Sequence, residues 1–497
     1  MATVTQHPTK SGRGAELVLL ALALLITCVG FSAVSMSLTD LAYPSLTPFI
    51  ALFVISVLLT HVVIRKLAPF ADPVLLPLAV TINGVGMAMI YRIDFPYAKD
   101  SSPYTIPVGP KQLIISIVGI FFLWAVLFFI RDHRILRGFS YISMALAIIF
   151  LALPFLPGIG SEQFGSKIWI DLGFTTFQPA EIAKILLAIF FAGYLERHRD
   201  NLALAGKKIL GIQLPRARDV VPLFIIWIAS IAVLVFQKDL GTSLLLFALF
   251  VAMLYVATDR PSWIIMGTIL TVPIVMLALK FFSHAAARFD IWLHAFDPQV
   301  FNRDPGGSGQ LVRGLFGMAS GGLFGTGFGR GYPDLVPSAN ADFIIASLGE
   351  ELGLTGLVAI LLMYTLLCER GIRAAIGVKD GFGKLLATGF SFLTAFQVFI
   401  VVGGVTRLIP LTGLTTPFLA SGGSSLISSW IILGLLLRIS HAARAPGGET
   451  SPATVGATPS PAASSLPHTN SSEDAKVPAD NASPSENTAV TERVSLP

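Results

Sequence analysis

The chain has 497 residues, 54% hydrophobic and 13% charged, and its 34 Lys and Arg against 29 Asp and Glu leave a net charge of +5. A soluble globular chain carries about 25% charged residues, and the mean hydropathy here is +0.75. These values exclude a soluble enzyme, a disordered chain and a basic nucleic-acid binder, and leave an all-α polytopic membrane protein with its basic residues in the loops.

A membrane span needs about 20 apolar residues. Twelve runs qualify, at roughly 15–37, 46–64, 74–91, 112–130, 139–156, 180–195, 220–236, 240–257, 263–281, 342–368, 385–403 and 423–437. The first lacks a small-residue cleavage site and reads as an anchor, not a leader. Cys28 and Cys368 lie in or beside apolar runs, where packing is their expected role. Loops on the side of the N-terminus hold 20 of the 34 Lys and Arg residues, and loops on the other side hold 10. The positive-inside rule then places both termini in the cytoplasm. Two outer segments are long, from Pro157 to Pro179 and from 282 to 341, and long structureless loops are usually functional. After Ser440 the composition turns to Ser, Pro, Ala and Thr, so 441–497 is expected to be a disordered cytoplasmic tail.

Ionisable groups within spans are costly and mark functional sites. Glu181 and Lys184, at i and i+3 at the outer start of the sixth span, share a helix face and can pair. A purely structural ion pair fits equally well there. Asp239 precedes the eighth span in Gln237-Lys238-Asp239-Leu240-Gly241-Thr242, the ordinary place for an N-cap. Asp342 opens the tenth span and could cap it. Glu350 and Glu351 lie about 12 Å deeper at 1.5 Å per residue, where adjacent acids demand a polar cavity or partners.

Within the second outer segment, two Asp-Pro pairs, Asp297-Pro298 and Asp304-Pro305, bracket a turn that leads into Gly306-Gly307-Ser308-Gly309-Gln310. The glycines let backbone approach a ligand closely. Asp290, Asp297 and Asp304 recur every seven residues, but the prolines argue against one helical metal face. The stretch from Gly321 to Gly331 has no preceding strand and no Gly-Lys-Ser/Thr ending, so it reads as a pliable lid or re-entrant loop, not a phosphate loop. His284 and His294 read as solvated.

Together these motifs resemble the SEDS family, the RodA/FtsW/SpoVE group of peptidoglycan glycosyltransferases. The matches are Gly165-Ser166-Lys167-Ile168-Trp169-Ile170 with Gln178-Pro179-Ala180-Glu181-Ile182-Ala183-Lys184; Gln237 to Thr242; Arg303-Asp304-Pro305 with Gly307-Ser308-Gly309-Gln310; Asp342-Phe343-Ile344 with Gly349-Glu350-Glu351-Leu352-Gly353; and Pro410-Leu411-Thr412-Gly413 with Pro417-Phe418 and Ser421-Gly422-Gly423-Ser424-Ser425. Lys238 departs from the family's Pro, Ala180 from its Ser, and the Tyr expected before Gln310 is missing.

The resemblance implies a cytoplasmic N-terminus at 1–14, two extra helices at 15–73 as in actinobacterial members, and a ten-helix core at 74–440. The extracytoplasmic catalytic loop within that core is 282–341. It further implies lipid II polymerisation by inverting transfer, in cell elongation and shape maintenance, with Asp304 as catalytic base. Glu181, Lys184, Asp239, Arg288, Arg303, Ser308, Gln310, Arg313, Asp342, Glu350 and Ser424 are the expected substrate-binding residues. Phosphates commonly bring a divalent cation, Mg or Mn. The expected partners are lipid II, a class B penicillin-binding protein as transpeptidase, and other elongation or division machinery. The expected place is the bacterial plasma membrane, with an extracytoplasmic active site. A lipid II flippase, an FtsW-type division paralogue and an inactive transpeptidase scaffold are the alternatives. The densest motif lies in an outer loop and not at the midplane, which favours the enzyme over a carrier.

Overall fold

The computed structural model describes residues 12–37, 47–98, 108–163, 166–171, 173, 176–203, 208–209, 212–213, 224–225, 227–228, 232, 238–303 and 306–446. Asp304, most of the run at 220–236 and the tail from 447 lie outside the described residues. The helices, in chain order, are α1 (Arg13–Ser37), α2 (Thr47–Leu67), α3 (Leu75–Ala98), α4 (Val108–Phe129), α5 (Ile135–Gly138), α6 (Ser140–Ala152), α7 (Ala180–Ala203), α8 (Leu240–Thr258), α9 (Ser262–Phe281), α10 (Ser283–Leu293), α11 (Pro298–Phe301), α12 (Gly309–Gly321), α13 (Ile344–Gly377), α14 (Gly381–Val405) and α15 (Gly423–Arg444). Eight described helices are long and apolar enough to cross a membrane, and the apolar helices at Ser140–Phe155 and Ser262–Pro273 are shorter. α7 follows the sixth run but ends in Glu196, Arg197, His198, Arg199 and Asp200.

The first outer segment is not structureless. β1 (Gly160–Gln163), β2 (Ser166–Asp171) and β3 (Thr176–Phe177) form an antiparallel sheet in the order β1-β2-β3, with Ile170 opposite both Gly160 and Phe177. Ile168, Trp169 and Ile170 suit a strand. After β2, Asp171 Oδ1 accepts from the backbone N–H of Gly173 at 2.8 Å, and Gly173 has a φ of +83°, an Asx-type turn that needs glycine. The second outer segment also folds, into α10, α11 and α12. Asp290 and Asp297 fall on separate elements, and among the described residues no three His, Cys, Asp or Glu lie close enough to hold a metal ion.

α3 sits at the centre and packs against α1, α4 and α13. Small residues permit the close approaches: a Cβ on Gly84 would overlap Thr27, and one on Gly86 would fall on the Leu419 carbonyl. Such small-residue contacts drive helix packing in lipid, where hydrophobicity alone offers no gain. Charges tie the first two helices to the rest. Glu16, fully buried, pairs with Arg13 and lies 2.8 Å from His61 Nδ1. Arg13 donates to the carbonyls of Pro69, at 3.1 Å, and Ala71. Buried Asp72 pairs with Arg444, its N–H donates to Ser440 Oγ at 2.8 Å, and Arg438 donates to the Leu67 carbonyl at 2.8 Å. The α2–α3 hinge is thereby bolted to α15.

α13 is broken at Gly353, whose φ is +68° and ψ is −172°. The backbone groups freed by the break are taken up by 321–331. Leu354 and Thr355 donate to the carbonyls of Gly322 and Leu323 at 3.0 and 3.1 Å, and Thr326 and Gly327 donate to those of Glu350 and Glu351, both at 3.0 Å. The glycine-rich stretch is therefore tied to both sides of the break in α13. A side chain at 353 would meet backbone of Leu323, Phe324 and Gly325 in a conformation open to glycine alone. Gly353→Ala is expected to cost about 1–3 kcal/mol, read as a lowered thermal unfolding midpoint in detergent. An unchanged midpoint would contradict this account of the break.

Candidate active site

The irregular segment from 410 to 422, between α14 and α15, organises the site. α10 reaches it through Arg288, whose Nη1 donates to the carbonyls of Thr412 at 2.7 Å and Leu411 at 3.2 Å. The start of α8 packs against it as well, because a Cβ on Gly241 would lie 2.9 Å from the Thr412 carbonyl. Asp239 caps α8 as its position suggested: Thr242 N donates to Oδ1 at 3.0 Å and Thr242 Oγ1 to Oδ2 at 2.7 Å. The Asp239 Oδ2 also accepts from Gln178 Nε2 at 3.3 Å, while Gln178 N donates to Ser424 Oγ at 3.2 Å. The residue after β3 thus bridges Asp239 and the N-terminus of α15.

Glu181 and Lys184 do pair, at 2.6 Å, and Lys184 is only 2% exposed. Lys184 Nζ donates to Gln397 Oε1 at 3.0 Å, Gln397 Nε2 donates to the Thr415 carbonyl at 2.8 Å, and Ser428 Oγ donates to Glu181 Oε2 at 2.7 Å. Lys184 is thereby linked to 415 through Gln397, and Glu181 to α15 through Ser428. The pair, through Gln397, helps hold the segment on which Arg288 is anchored.

Arg288 stands in the field of both Asp239 and Asp342. Burial pushes the Asp239 carboxyl upward, and the Thr242 bonds and Arg288 oppose that push. Asp342 lies in the turn ahead of α13 and does not cap it. Desolvation raises its carboxyl to about 6 against the pull of Arg288. A guanidinium clamped to two carbonyls can orient a polar, anionic ligand without itself moving.

The other expected residues have separate partners. Arg303 Nη2 pairs with Asp290 at 2.5 Å. Ser308 Oγ donates to the Ala295 carbonyl at 2.5 Å, and Gln310 Nε2 to that of Pro337 at 2.8 Å. Arg313 reaches the Leu335 carbonyl at 3.5 Å. Glu350 Oε1 accepts from Tyr332 N and Glu351 Oε2 from Gly329 N, both at 2.7 Å, with Arg92 3.4 Å from Glu351. The two acids thereby hold the glycine-rich stretch and Tyr332 just after it. Asp304 lies outside the described residues, between Arg303 and Gly306. Gln178, Gln397 and Ser428 were absent from the expected set. Gln397 left a signal: a lone amide within the apolar run Ala395-Phe396-Gln397-Val398-Phe399.

The chain matches the cell cycle protein family of FtsW, RodA and SpoVE over residues 73–445. It is 46% identical to the peptidoglycan glycosyltransferase RodA of Mycobacterium tuberculosis, covering 88% of this chain and 92% of that protein. It is 44% identical to the Mycobacterium leprae protein of the same description, covering 90% and 94%. In structure it resembles a chain solved in a study of polymerization and crosslinking by a peptidoglycan synthase complex. The TM-score is 0.58 at 24% identity, over 75% of this chain and 98% of that one, a likeness of fold.

Removing Lys184 alone leaves the Glu181 carboxylate buried without its partner, at a cost of about 3–5 kcal/mol. Lys184→Met should therefore unfold at a clearly lower temperature than the original chain, and Glu181→Gln with Lys184→Met should recover part of the loss. A double variant less stable than Lys184→Met would contradict the pairing.

Proposed function

We infer the chemistry from one premise: the chain belongs to the cell cycle protein family of FtsW, RodA and SpoVE. It is a peptidoglycan glycosyltransferase of the RodA kind and a multi-pass membrane protein. The observation that carries this is the near full-length similarity to two RodA proteins. We propose lipid II as both donor and acceptor, a single-pass class B penicillin-binding protein as partner transpeptidase, and contact with other elongation machinery. The long segments 157–179 and 282–341 then face outward, and both termini lie in the cytoplasm of a bacterial plasma membrane.

The acceptor's sugar C4 hydroxyl attacks the donor's anomeric carbon, and a lipid-linked pyrophosphate leaves from the opposite face. One displacement inverts the configuration, so a single general base is enough, and no second carboxylate need form a covalent intermediate. Asp304 is proposed as that base: it takes the hydroxyl proton as the new bond forms. Arg288 is proposed to face the pyrophosphate, with Asp239 and Asp342 fixing its direction. Lys184 acts from behind, because its ammonium is already held by Glu181 and Gln397. A divalent cation, Mg or Mn, would have to take most of its oxygen ligands from the phosphates and water, since the described residues offer no three-ligand cluster. No step here depends on it.

Asp304→Asn, with its partner present, is expected to lower the rate of labelled lipid II polymerisation by about 10²–10⁴-fold. Equal product from both proteins would move the base elsewhere. Arg288→Gln should lower kcat/KM more than Arg288→Lys does. If Asp342 must be ionised to orient Arg288, the rate falls as pH drops through about 6, and Asp342→Asn loses that acid limb. A wild-type acid limb that persists in the variant would exclude Asp342 as its source.

A further inference from the structure

Two large apolar side chains in the second outer segment are exposed, but they are not loosely held. Phe296, just after α10, is 55% exposed and Phe316, on α12, is 64% exposed. Their ring centroids are 6.4 Å apart and their planes are tilted by 56°. Arg407 lies over the Phe296 ring, its guanidinium carbon 5.2 Å from the centroid. Arg407 has a φ of +61°, uncommon for a residue with a side chain and a mark of a position held for a purpose. Three hydrogen bonds hold it there: Nε to the Trp292 carbonyl at 2.8 Å, Nη2 to the Leu293 carbonyl at 2.9 Å, and Trp292 Nε1 to its own carbonyl at 3.1 Å. Its guanidinium thus donates to two backbone carbonyls while lying over the ring.

The surroundings are polar. Asp290 accepts from Arg303 at 2.5 Å and shares a hydrogen bond with His294 at 3.0 Å, and all three side chains are at least one-third exposed. His294 stands two residues before Phe296. The glycine-rich turn folds against the same place, because Ser308 donates through Oγ to the carbonyl of Ala295, beside Phe296, and through N to that of Val300 at 3.0 Å.

We propose that Phe296 and Phe316 form a stacking platform for an amino-sugar ring of the peptide-bearing glycan in the polymerisation proposed above, a reading on which this inference rests. A pyranose offers a C–H face to an aromatic ring and hydroxyls around its edge, and the Asp290–Arg303–His294 rim supplies donors and acceptors for that edge. The positive charge of Arg407 beside the rings complements the carboxylates of a stem peptide.

The test is saturation-transfer NMR between the full chain in detergent and a soluble N-acetylglucosaminyl-N-acetylmuramyl pentapeptide, with lipid II polymerisation measured in parallel. Phe296→Leu with Phe316→Leu keeps apolar bulk but removes the ring faces, and Phe296→Tyr with Phe316→Tyr keeps the faces. The transferred signal should fall at least fivefold in the Leu pair and stay within twofold in the Tyr pair, with both variants eluting as the original chain does. A Leu pair that keeps the signal overturns the proposal and makes the patch a lipid or protein anchor. Glycan synthesis by the original chain without any saccharide transfer also overturns it and leaves the enzymatic reading standing. Saccharide transfer without glycan synthesis by the complete complex would overturn the enzymatic reading instead, while supporting a saccharide site.

Discussion

A backbone or charged group that enters a lipid-embedded bundle has no water to turn to, so the protein itself must satisfy it. The break at Gly353 makes this visible. Once α13 leaves helical geometry, two N–H groups and two carbonyls lose their partners, and the glycine-rich stretch 321–331 supplies all four. Glu350 and Glu351 belong to the same solution. They accept from N–H groups of that stretch and so convert a costly pair of buried acids into the anchor of a loop.

The segment 410–422 obeys the same constraint at larger scale. It is non-helical backbone running between two buried helices, and side chains from five helices reach in to satisfy it. Arg288 takes Thr412, Gln397 takes Thr415, Tyr364 takes Pro417, Asn83 takes Phe418 and Gln112 takes Ala420. A segment bound from so many directions cannot shift to suit a ligand. It is a rigid floor on which charges can be aimed, and such preorganisation is the main way a protein stabilises developing charge.

The buried ion pairs serve position more than stability. The attraction within Glu181–Lys184 is offset by the desolvation of both charges, so an apolar pair of similar volume would hold the helices about as well. Those residues would not present an amide to 415 or a hydroxyl to α15. The Glu16–Arg13–His61 group and the Asp72 hinge work similarly at the α2–α3 junction, where they fix two helices beyond the family core onto α15.

Much of this was legible in the residues. Apolar run length marked the long helices among the described residues, and Asp239 announced its cap because an Asp before a helix has a local partner three residues on. The Glu181–Lys184 pair was legible for the same reason, since i and i+3 meet on any helix. The outer segments were under-read. The sheet at 160–177 and the helices α10 to α12 depend on short polar runs whose periodicity is weak. Among the described residues, tertiary structure alone decided which charges meet. Arg288 binds the carbonyls of Leu411 and Thr412, more than a hundred residues further along the chain, while Arg303, close to it in sequence, turns to Asp290. Local spacing governs contacts within one turn of helix. Contacts between helices depend on how small residues such as Gly84, Gly86 and Gly241 let backbones approach, and that is set by the packed bundle, not by any one stretch of it.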